Sequence, residues 1–411
     1  MKPIRVQKSQ SIADIEELYN RLFKAAIHCD VQLPTHLKNE FFGGSCALIQ
    51  FLITWAKRHP KDRLITHVQV SEDPVSKLAS LTDQDHGLVA VLLADQVVRG
   101  DGSSSIKEQA DLAAGLRLNQ IFEEGIASSS PGQQVLLLCA DHVVASPHPA
   151  DPVTKSLPLF RHSYQNHFLF YHRTSQPSVR GVRDFQRLAE ELFQQATPEK
   201  VVPLPEEEIR YIGVILCELF KNTHQWARHD TRGRLLDRSV RGIQCRFVHY
   251  YKDVLLGSVV NDAVLHEYVK NDFFPAQRGW TAFAEISIFD SGPGLAQRKK
   301  GEAFRGSEGL QEEYEWVYRC MQLHATSGES HHGRGLHEVL LHLTGLRGFL
   351  RIRTGRLGLQ RDLVRHPYEG KAQPDLYDWV RDDQCFTKLQ RAEGTAITIL
   401  IPVQGIVKDA F

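Results

Sequence analysis

The feature that most constrains this chain is a helical pattern over 206–228 in which polar residues continue an apolar stripe. Tyr211, Ile215, Glu218 and Asn222 follow one another at steps of four, three and four residues, which places them on one face of a helix. A buried carboxylate without a partner is costly. Glu218 therefore needs either a Lys or Arg elsewhere in the core or a bound ligand, and the helix alone leaves both open.

The bulk composition narrows the class of protein. The chain has 411 residues, enough for two or three domains with a sizeable core. Lys plus Arg and Asp plus Glu number 49 each, a balance that gives no sign of a nucleic-acid partner. The N-terminus lacks the apolar run of a signal peptide, and no run of about 18 apolar residues predicts a transmembrane helix. We therefore expect a cytoplasmic protein without a membrane partner.

Several kinds of site are excluded by their missing patterns. The seven cysteines are scattered, and Cys46, Cys139 and Cys217 lie in apolar runs, which predicts buried thiols instead of disulfides. His337 and His342 are five residues apart, so they do not share a helix face as the two histidines of a zinc peptidase do. The sequence has neither a GxxxxGK[ST] loop nor a GxGxxG run, which excludes a P-loop and disfavours a dinucleotide fold.

Two stretches, 172–181 and 194–208, have the composition of linkers, and a helix over 182–196 would connect them. They divide the chain into an N-terminal domain, a connector and a C-terminal domain, at 1–180, 181–204 and 205–411.

The N-terminal region alternates between strand and helix patterns. The stretch 43–60 predicts a helix that ends at Pro60, and 63–70 predicts a strand. The apolar runs 87–98 and 133–144 fit either a strand or a helix. This predicts a small α/β domain. Its hydrophobic pattern loosely resembles that of STAS-like domains, which bind regulatory kinases, and the resemblance implies a protein partner.

Three further motifs follow the polar helix. A strand pattern over 280–290 stops at Asp290 and is followed by Gly292 and Gly294, which suit a close backbone approach to a ligand or simply a turn. The run Gly-Arg-Gly-Leu at 333–336 precedes a helix and is suited to phosphate. Thr395 opens a last apolar strand, 394–403, where its hydroxyl could bind a ligand.

In this order, "ELFKN", "DSGPG", "GRGL" and "GT" resemble the N, G1, G2 and G3 boxes of the GHKL ATPases, over about 205–403. That superfamily includes gyrase B subunits, heat-shock chaperones, histidine kinases and MutL proteins. The resemblance implies a Bergerat-type ATP-binding fold, a mixed sheet covered by helices, beside the smaller α/β domain. The implied fold class is thus α/β, and the implied ligands are ATP and Mg²⁺.

The resemblance also implies residue roles. At the phosphate end, Glu218 would activate the nucleophile and Asn222 would bind Mg²⁺. The other residues of this end would hold the phosphates; they are Gly333, Arg334, Gly335 and Leu336. At the base end, Asp290 would accept a hydrogen bond from the adenine amine. The residues that support it there are Gly292, Gly294 and Thr395.

A lid over 296–332, with a helix at 312–323, would close over the nucleotide. For its basic residues Arg298, Lys299, Lys300 and Arg305, a solvated face is favoured over phosphate sensing.

Three functions fit this reading. The first is an ATPase whose nucleotide state drives a conformational switch, with dimerisation as one form of it. The second is a protein kinase of the anti-sigma-factor or histidine-kinase type. The third is a nucleotide-gated binding module with negligible turnover, whose N-terminal domain binds the partner.

Overall fold

The fold is described from a computed structural model of the full chain. It describes residues 2–8, 11–25, 28–34, 37, 42–69, 71–125, 134–145, 159–164, 169–170, 178–197, 204–271, 279–322, 335–370 and 374–403. Among these residues, every helix is too short or too polar to cross a membrane.

The first part of the chain forms a four-stranded parallel sheet with helices around it. The sheet order is β1-β2-β3-β4. Its strands are β1 Ile4–Arg5, β2 Val31–Gln32, β3 Arg63–Ile65 and β4 Gln96–Val98. The helices are α1 Ile12–Lys24, α2 Gly44–Arg58, α3 Pro74–Thr82, α4 Asp85–Leu93 and α5 Lys107–Glu124. Each strand is followed by a helix before the next parallel strand, as parallel pairing requires.

The rest of the chain builds an eight-stranded sheet in the order β11-β10-β9-β12-β8-β7-β5-β6. Its strands are β5 Val135–Ala145, β6 Leu159–Tyr164, β7 Ser239–Tyr251, β8 Trp280–Asp290, β9 Phe349–Gly355, β10 Leu357–Asp362, β11 Tyr377–Asp378 and β12 Ala392–Pro402. The helices are α6 Val182–Ala196, α7 Glu206–Trp226, α8 Lys252–Ser258, α9 Ala263–Lys270, α10 Leu295–Lys300, α11 Leu310–Met321 and α12 Gly335–Gly345. The described strand pairs of this sheet are antiparallel, where a mixed sheet was predicted.

Helices cover both faces of the eight-stranded sheet. In β5, Val135 and Leu137 face a core built with α6, α7, α11 and α12, while Leu136 and Leu138 face a core built with the N-terminal helices. This alternation follows from strand geometry, since successive side chains point to opposite faces. The N-terminal helices therefore bury part of one face of the larger sheet, and α8 and α9 pack on another part of it, at Phe283 and Phe349.

Helix α2 makes polar contacts with two strands of the larger sheet. The side-chain amide of Gln50 donates to the carbonyl of Arg353 at 2.9 Å, and the backbone N–H of Glu393 donates to Thr54 Oγ1 at 2.9 Å. Arg353 Nε lies 2.8 Å from Glu16 Oε1 of α1, and its side chain is 3% exposed. These contacts fix α2 against the end of β9 and the start of β12, and α1 against β9.

Most of the predicted elements are present. The predicted α/β class is confirmed, as are helix 182–196 and the buried thiols of Cys46, Cys139 and Cys217. The ambiguous run 87–98 is most of α4 followed by β4, and residues 135–144 of the other ambiguous run belong to strand β5. Strands β5 and β6 precede the predicted connector 181–204 but belong to the eight-stranded sheet, and α6 within the connector packs into the core of that sheet. The larger sheet therefore includes strands from both sides of the connector.

We predict that truncating one leucine in the shared core destabilises the whole protein. Leu136 is 3% exposed between β5 and the N-terminal helices, so Leu136→Ala should lower the free energy of unfolding by about 2–5 kcal/mol. The matched change Leu235→Ala, at a side chain 57% exposed, should alter it by less than about 0.5 kcal/mol. Urea denaturation measures both. Equal effects from the two variants, or separate transitions for the two sheets, would contradict the shared core.

Candidate functional site

Helix α7 presents the polar pair Glu218 and Asn222 beside its buried face. Ile215 and Leu219 on that helix are buried in the core. The Glu218 side chain is 20% exposed and forms an ion pair of 2.9 Å with Lys221, a same-helix neighbour whose side chain is 43% exposed. Glu218 therefore has a basic partner, as the simpler hypothesis required, but that partner is at the surface and not in the core.

The side-chain amide of Asn222 is partly unsatisfied. Its Nδ2 is buried and has no hydrogen-bond partner among the described residues. A buried polar atom without a partner is uncommon in a folded protein and indicates a missing ligand or water. The orientation of a carboxamide is an assignment, so the same position could hold its oxygen after a rotation of the group.

The first residue of α12 lies against this pair. A Cβ atom on Gly335 would be 2.9 Å from Glu218 Oε2 and 3.7 Å from Asn222 Nδ2. Glycine thus allows a close approach of the backbone to the Glu218 carboxylate, and it is the first residue of an 11-residue helix. Free backbone N–H groups at a helix start attract anions. Leu336 follows in the core, while Gly333 and Arg334 lie outside the described residues.

Three adjacent strands bring polar side chains together at the end of β8. Asp290 is paired in register with Thr395 of β12 on one side and with Arg241 of β7 on the other. All three are buried. Thr395 Oγ1 has no hydrogen-bond partner among the described residues. The predicted neighbourhood of Asp290 and Thr395 is thus present in the structure.

The turn after Asp290 is held by the backbone and by the end of α7. The N–H of Gly292 donates to Asp290 Oδ1 at 2.9 Å. A Cβ on Gly292 would lie 2.5 Å from the Cα of Ala227, the C-cap residue directly after α7. A side chain at position 292 would prevent this close contact between the turn and the end of α7. Helix α7 thus contacts both glycine motifs, at Gly292 and at Gly335.

The second glycine of the turn packs against β9. A Cβ on Gly294 would lie 3.0 Å from Thr354 Oγ1, and the N–H of Leu295 donates to that oxygen at 2.8 Å. Thr354 thus fixes the start of α10. Sequence reasoning missed Thr354, because a threonine inside a strand pattern carries no signal of this contact.

Two basic groups face Asp290. Arg298 Nη2 is 3.7 Å from Asp290 Oδ2, and the two side chains are 9% and 4% exposed. Burial raises the pKa of Asp290, while the nearby charges of Arg298 and Lys57 act in the opposite direction. Burial also lowers the pKa of Lys57, which lies on α2. The favoured solvated role for Arg298 is therefore wrong, because α10 turns this side chain inward.

A positive environment also surrounds the end of α7. Burial, assisted by the charges of Arg241 and Arg228, lowers the pKa of His224 to about 4. His224 is therefore neutral at neutral pH. The arginines that suppress its charge favour an anionic ligand in the same region.

Much of the predicted lid is packed structure. Tyr314, Val317 and Met321 of α11 are buried in the core, which confirms the predicted helix. Glu313 accepts hydrogen bonds from the backbone N–H and the Nε of Arg356, at 2.9 and 2.6 Å. The rest of the predicted lid, 323–332, lies outside the described residues.

Neither similarity to known proteins nor a cluster of metal-binding side chains identifies a function for this site. Comparisons with protein-family models, with curated proteins and with solved structures find no significant match. In the part of the chain that the structure describes, no group of three or more His, Cys, Asp or Glu side chains is placed to hold a metal ion.

We predict that the backbone behind Asp290 tolerates only glycine. Gly394 has φ +73°, and a Cβ there would lie 1.9 Å from the carbonyl oxygen of Asp290. Gly394→Ala should therefore lower the free energy of unfolding by at least about 1–3 kcal/mol. Gly257→Ala is the control, since a Cβ at Gly257 in α8 meets nothing within 4 Å. Chemical denaturation should show no loss for this control, and equal losses for both would contradict the role of the Gly394 turn.

Proposed function

We propose that the protein binds Mg-ATP in the manner of the GHKL ATPases and hydrolyses it to drive a conformational or partner-binding switch. The observation that carries the proposal is the contact of α7 with both glycine motifs. Gly335 meets this helix at Glu218 and Asn222, and Gly292 meets it at Ala227. Two glycine motifs that are distant in sequence are thus aligned along one helix, as an elongated ligand requires.

The spacing and chemistry of the two ends support a nucleoside triphosphate. Glu218 and Ala227 are nine positions apart, about 13.5 Å along a helix axis at about 1.5 Å per residue. One end offers the buried acceptor Asp290, which suits the amine of a base. The other end offers the N-terminus of α12, which suits phosphate groups.

The residues at the phosphate end fit a magnesium nucleotide. Asn222 has a buried amide atom without a partner beside the start of α12. Magnesium is commonly held by one or two protein oxygens together with phosphate oxygens and water, so a large carboxylate cluster is not required. When bound, the metal would neutralise phosphate charge, and Asn222 is the residue that would hold it.

Glu218 is the residue that would act on the nucleophile. Its carboxylate lies one helical turn before Asn222 and next to the start of α12. In hydrolysis, Glu218 would accept a proton from the water that attacks the terminal phosphorus, as the bond to the leaving phosphate oxygen breaks. Its exposed partner Lys221 can move away at small cost, since ion pairs of this kind contribute little.

The N-terminal part fits the role of a partner-binding or regulatory element. Thr54 and Gln50 of α2 contact Glu393 and Gly394, the residues directly before Thr395. A change at the nucleotide could therefore reach α2 through a continuous set of contacts. A protein partner, a homodimer and a cytoplasmic location belong to the proposal as well.

The first test of the proposal is nucleotide binding. Asp290→Asn removes the charged acceptor and should weaken binding of Mg-ATP by about tenfold or more, since hydrogen bonds to charged groups contribute about 1.5–3 kcal/mol. Asp95→Asn is the control, at a carboxylate 45% exposed and paired with Arg238. Calorimetric titration measures both affinities. Failure of the unaltered protein to bind Mg-ATP would refute the proposal.

The second test is turnover with γ-labelled ATP. Glu218→Gln should lower the rate of phosphate release by about 10²–10⁴-fold and leave ATP affinity nearly unchanged, because only the base is lost. Glu206→Gln, on an exposed glutamate of the same helix, should leave both unchanged. Label that appears on a protein instead of in free phosphate would assign the chain to the kinases. Binding of ATP without any hydrolysis or phosphate transfer would assign the chain to the nucleotide-gated binding modules.

A further inference from the structure

Arg298 is a buried cation whose ion pair with Asp290 is long and whose hydrogen-bond donors are only partly used. Its side chain is 9% exposed, and its Nη2 stands 3.7 Å from Asp290 Oδ2, beyond hydrogen-bond distance. Its Nε and Nη2 have no hydrogen-bond partner among the described residues. Leaving buried donors unpaired is costly, so a group that accepts from them would be strongly favoured.

The position of this side chain is fixed by the helix that carries it. Leu295 and Ala296 of α10 are buried, and the N–H of Leu295 is bound to Thr354. Burial of Arg298 lowers its pKa, and the charge of Asp290 counteracts this effect. The guanidinium is therefore directed at Asp290 by the packing of α10, and not by an ideal ion pair.

We propose that Arg298 is a base-recognition residue, which donates a hydrogen bond to a ring nitrogen beside the amine that Asp290 accepts. This inference rests on the proposed function. Oδ1 of Asp290 accepts from the N–H of Gly292, and Oδ2 is the oxygen that faces Arg298. Oδ2 and Nη2 then form an acceptor and a donor side by side.

Adenine matches this pair of groups. It carries an amine donor flanked by ring nitrogens that accept hydrogen bonds. Guanine carries a carbonyl oxygen in place of that amine, so the same pose would set two acceptors against each other at Oδ2. Together, Asp290 and Arg298 therefore select an adenine nucleotide, and Arg298 contributes part of the selectivity.

The test compares side-chain and ligand changes in one cycle. The affinities of ATP, 1-deaza-ATP, 7-deaza-ATP and GTP are measured by calorimetric titration on the full chain. The measurements use the unaltered protein, Arg298→Met and Arg298→Lys. Arg381→Met is the control, at an arginine side chain 57% exposed. Circular dichroism establishes that each variant is folded.

We expect the unaltered protein to prefer ATP over one of the two deaza analogues and over GTP. Arg298→Met should weaken ATP binding by about tenfold and leave binding of that analogue unchanged, because their shared hydrogen bond is already lost. Arg298→Lys keeps a hydrogen-bond donor and should retain part of the preference for ATP. This second variant tests the inference if the Met variant does not fold. The analogue that is affected identifies the ring nitrogen.

Two results would overturn the inference. One is an unaltered protein that binds ATP and both deaza analogues equally well. The other is an Arg298→Met variant that weakens ATP and both analogues by the same factor, which is the effect of a purely structural residue. In either case ATP binding itself persists, so the proposed function stands. Absence of ATP binding to the unaltered protein would refute the proposed function instead.

Discussion

The structure depends on the requirement that both faces of the eight-stranded sheet be buried. Strand β8 shows this most directly, since Ile286 and Ile288 face one core and Phe289 faces the other. The burial of apolar surface, which contributes about 25 cal/mol per Å², is the main favourable free-energy term for such a sheet. A single layer of helices would leave one face in water. The N-terminal helices are therefore part of the fold of the larger sheet and not an appendage to it.

The polar side chains of the candidate site lie where the apolar residues of the central strands end. The apolar residues of β8 stop at Asp290, and its neighbours in register, Thr395 and Arg241, are polar as well. A lone carboxylate would be prohibitively costly there, but basic groups approach it from two directions, Arg298 from α10 and Lys57 from α2. These charges offset part of the effect of burial, which raises the pKa of Asp290, and hydrogen bonds to a ligand in such a low-dielectric setting are strong.

The sequence predicted those elements whose periodicity reflects one buried face. Helix 182–196 is an example, with Phe185, Leu188 and Leu192 on the core side. It failed to distinguish strand from helix in 133–144 because β5 is buried on both faces, which removes the alternation. Helix α4 was ambiguous for the same reason, since it is buried almost all round.

The sequence predicted the glycines and the carboxylate of the candidate site, but not the basic residues that lie around that carboxylate. The glycines and Asp290 were found because their backbone demands and their order in the chain are visible in the sequence. Arg298 stands in a run with Lys299 and Lys300, which reads as a solvated face, and only the packing of α10 shows that one of the three is turned inward. Thr354 and Lys57 are separated from Asp290 in sequence, so their proximity depends on tertiary structure alone.

The partner of Glu218 bears on the two explanations of the polar stripe. A buried ion pair would tie the carboxylate to a second core residue, and breaking such a pair is strongly destabilising. The observed partner, Lys221, lies on the same helix with a side chain 43% exposed. Exposed pairs at this spacing contribute little, so Glu218 is held in place by the rigid helix and not by its salt bridge. A carboxylate that is fixed in position but weakly engaged, in close contact with the first residue of α12, is suited to chemistry more than to stability.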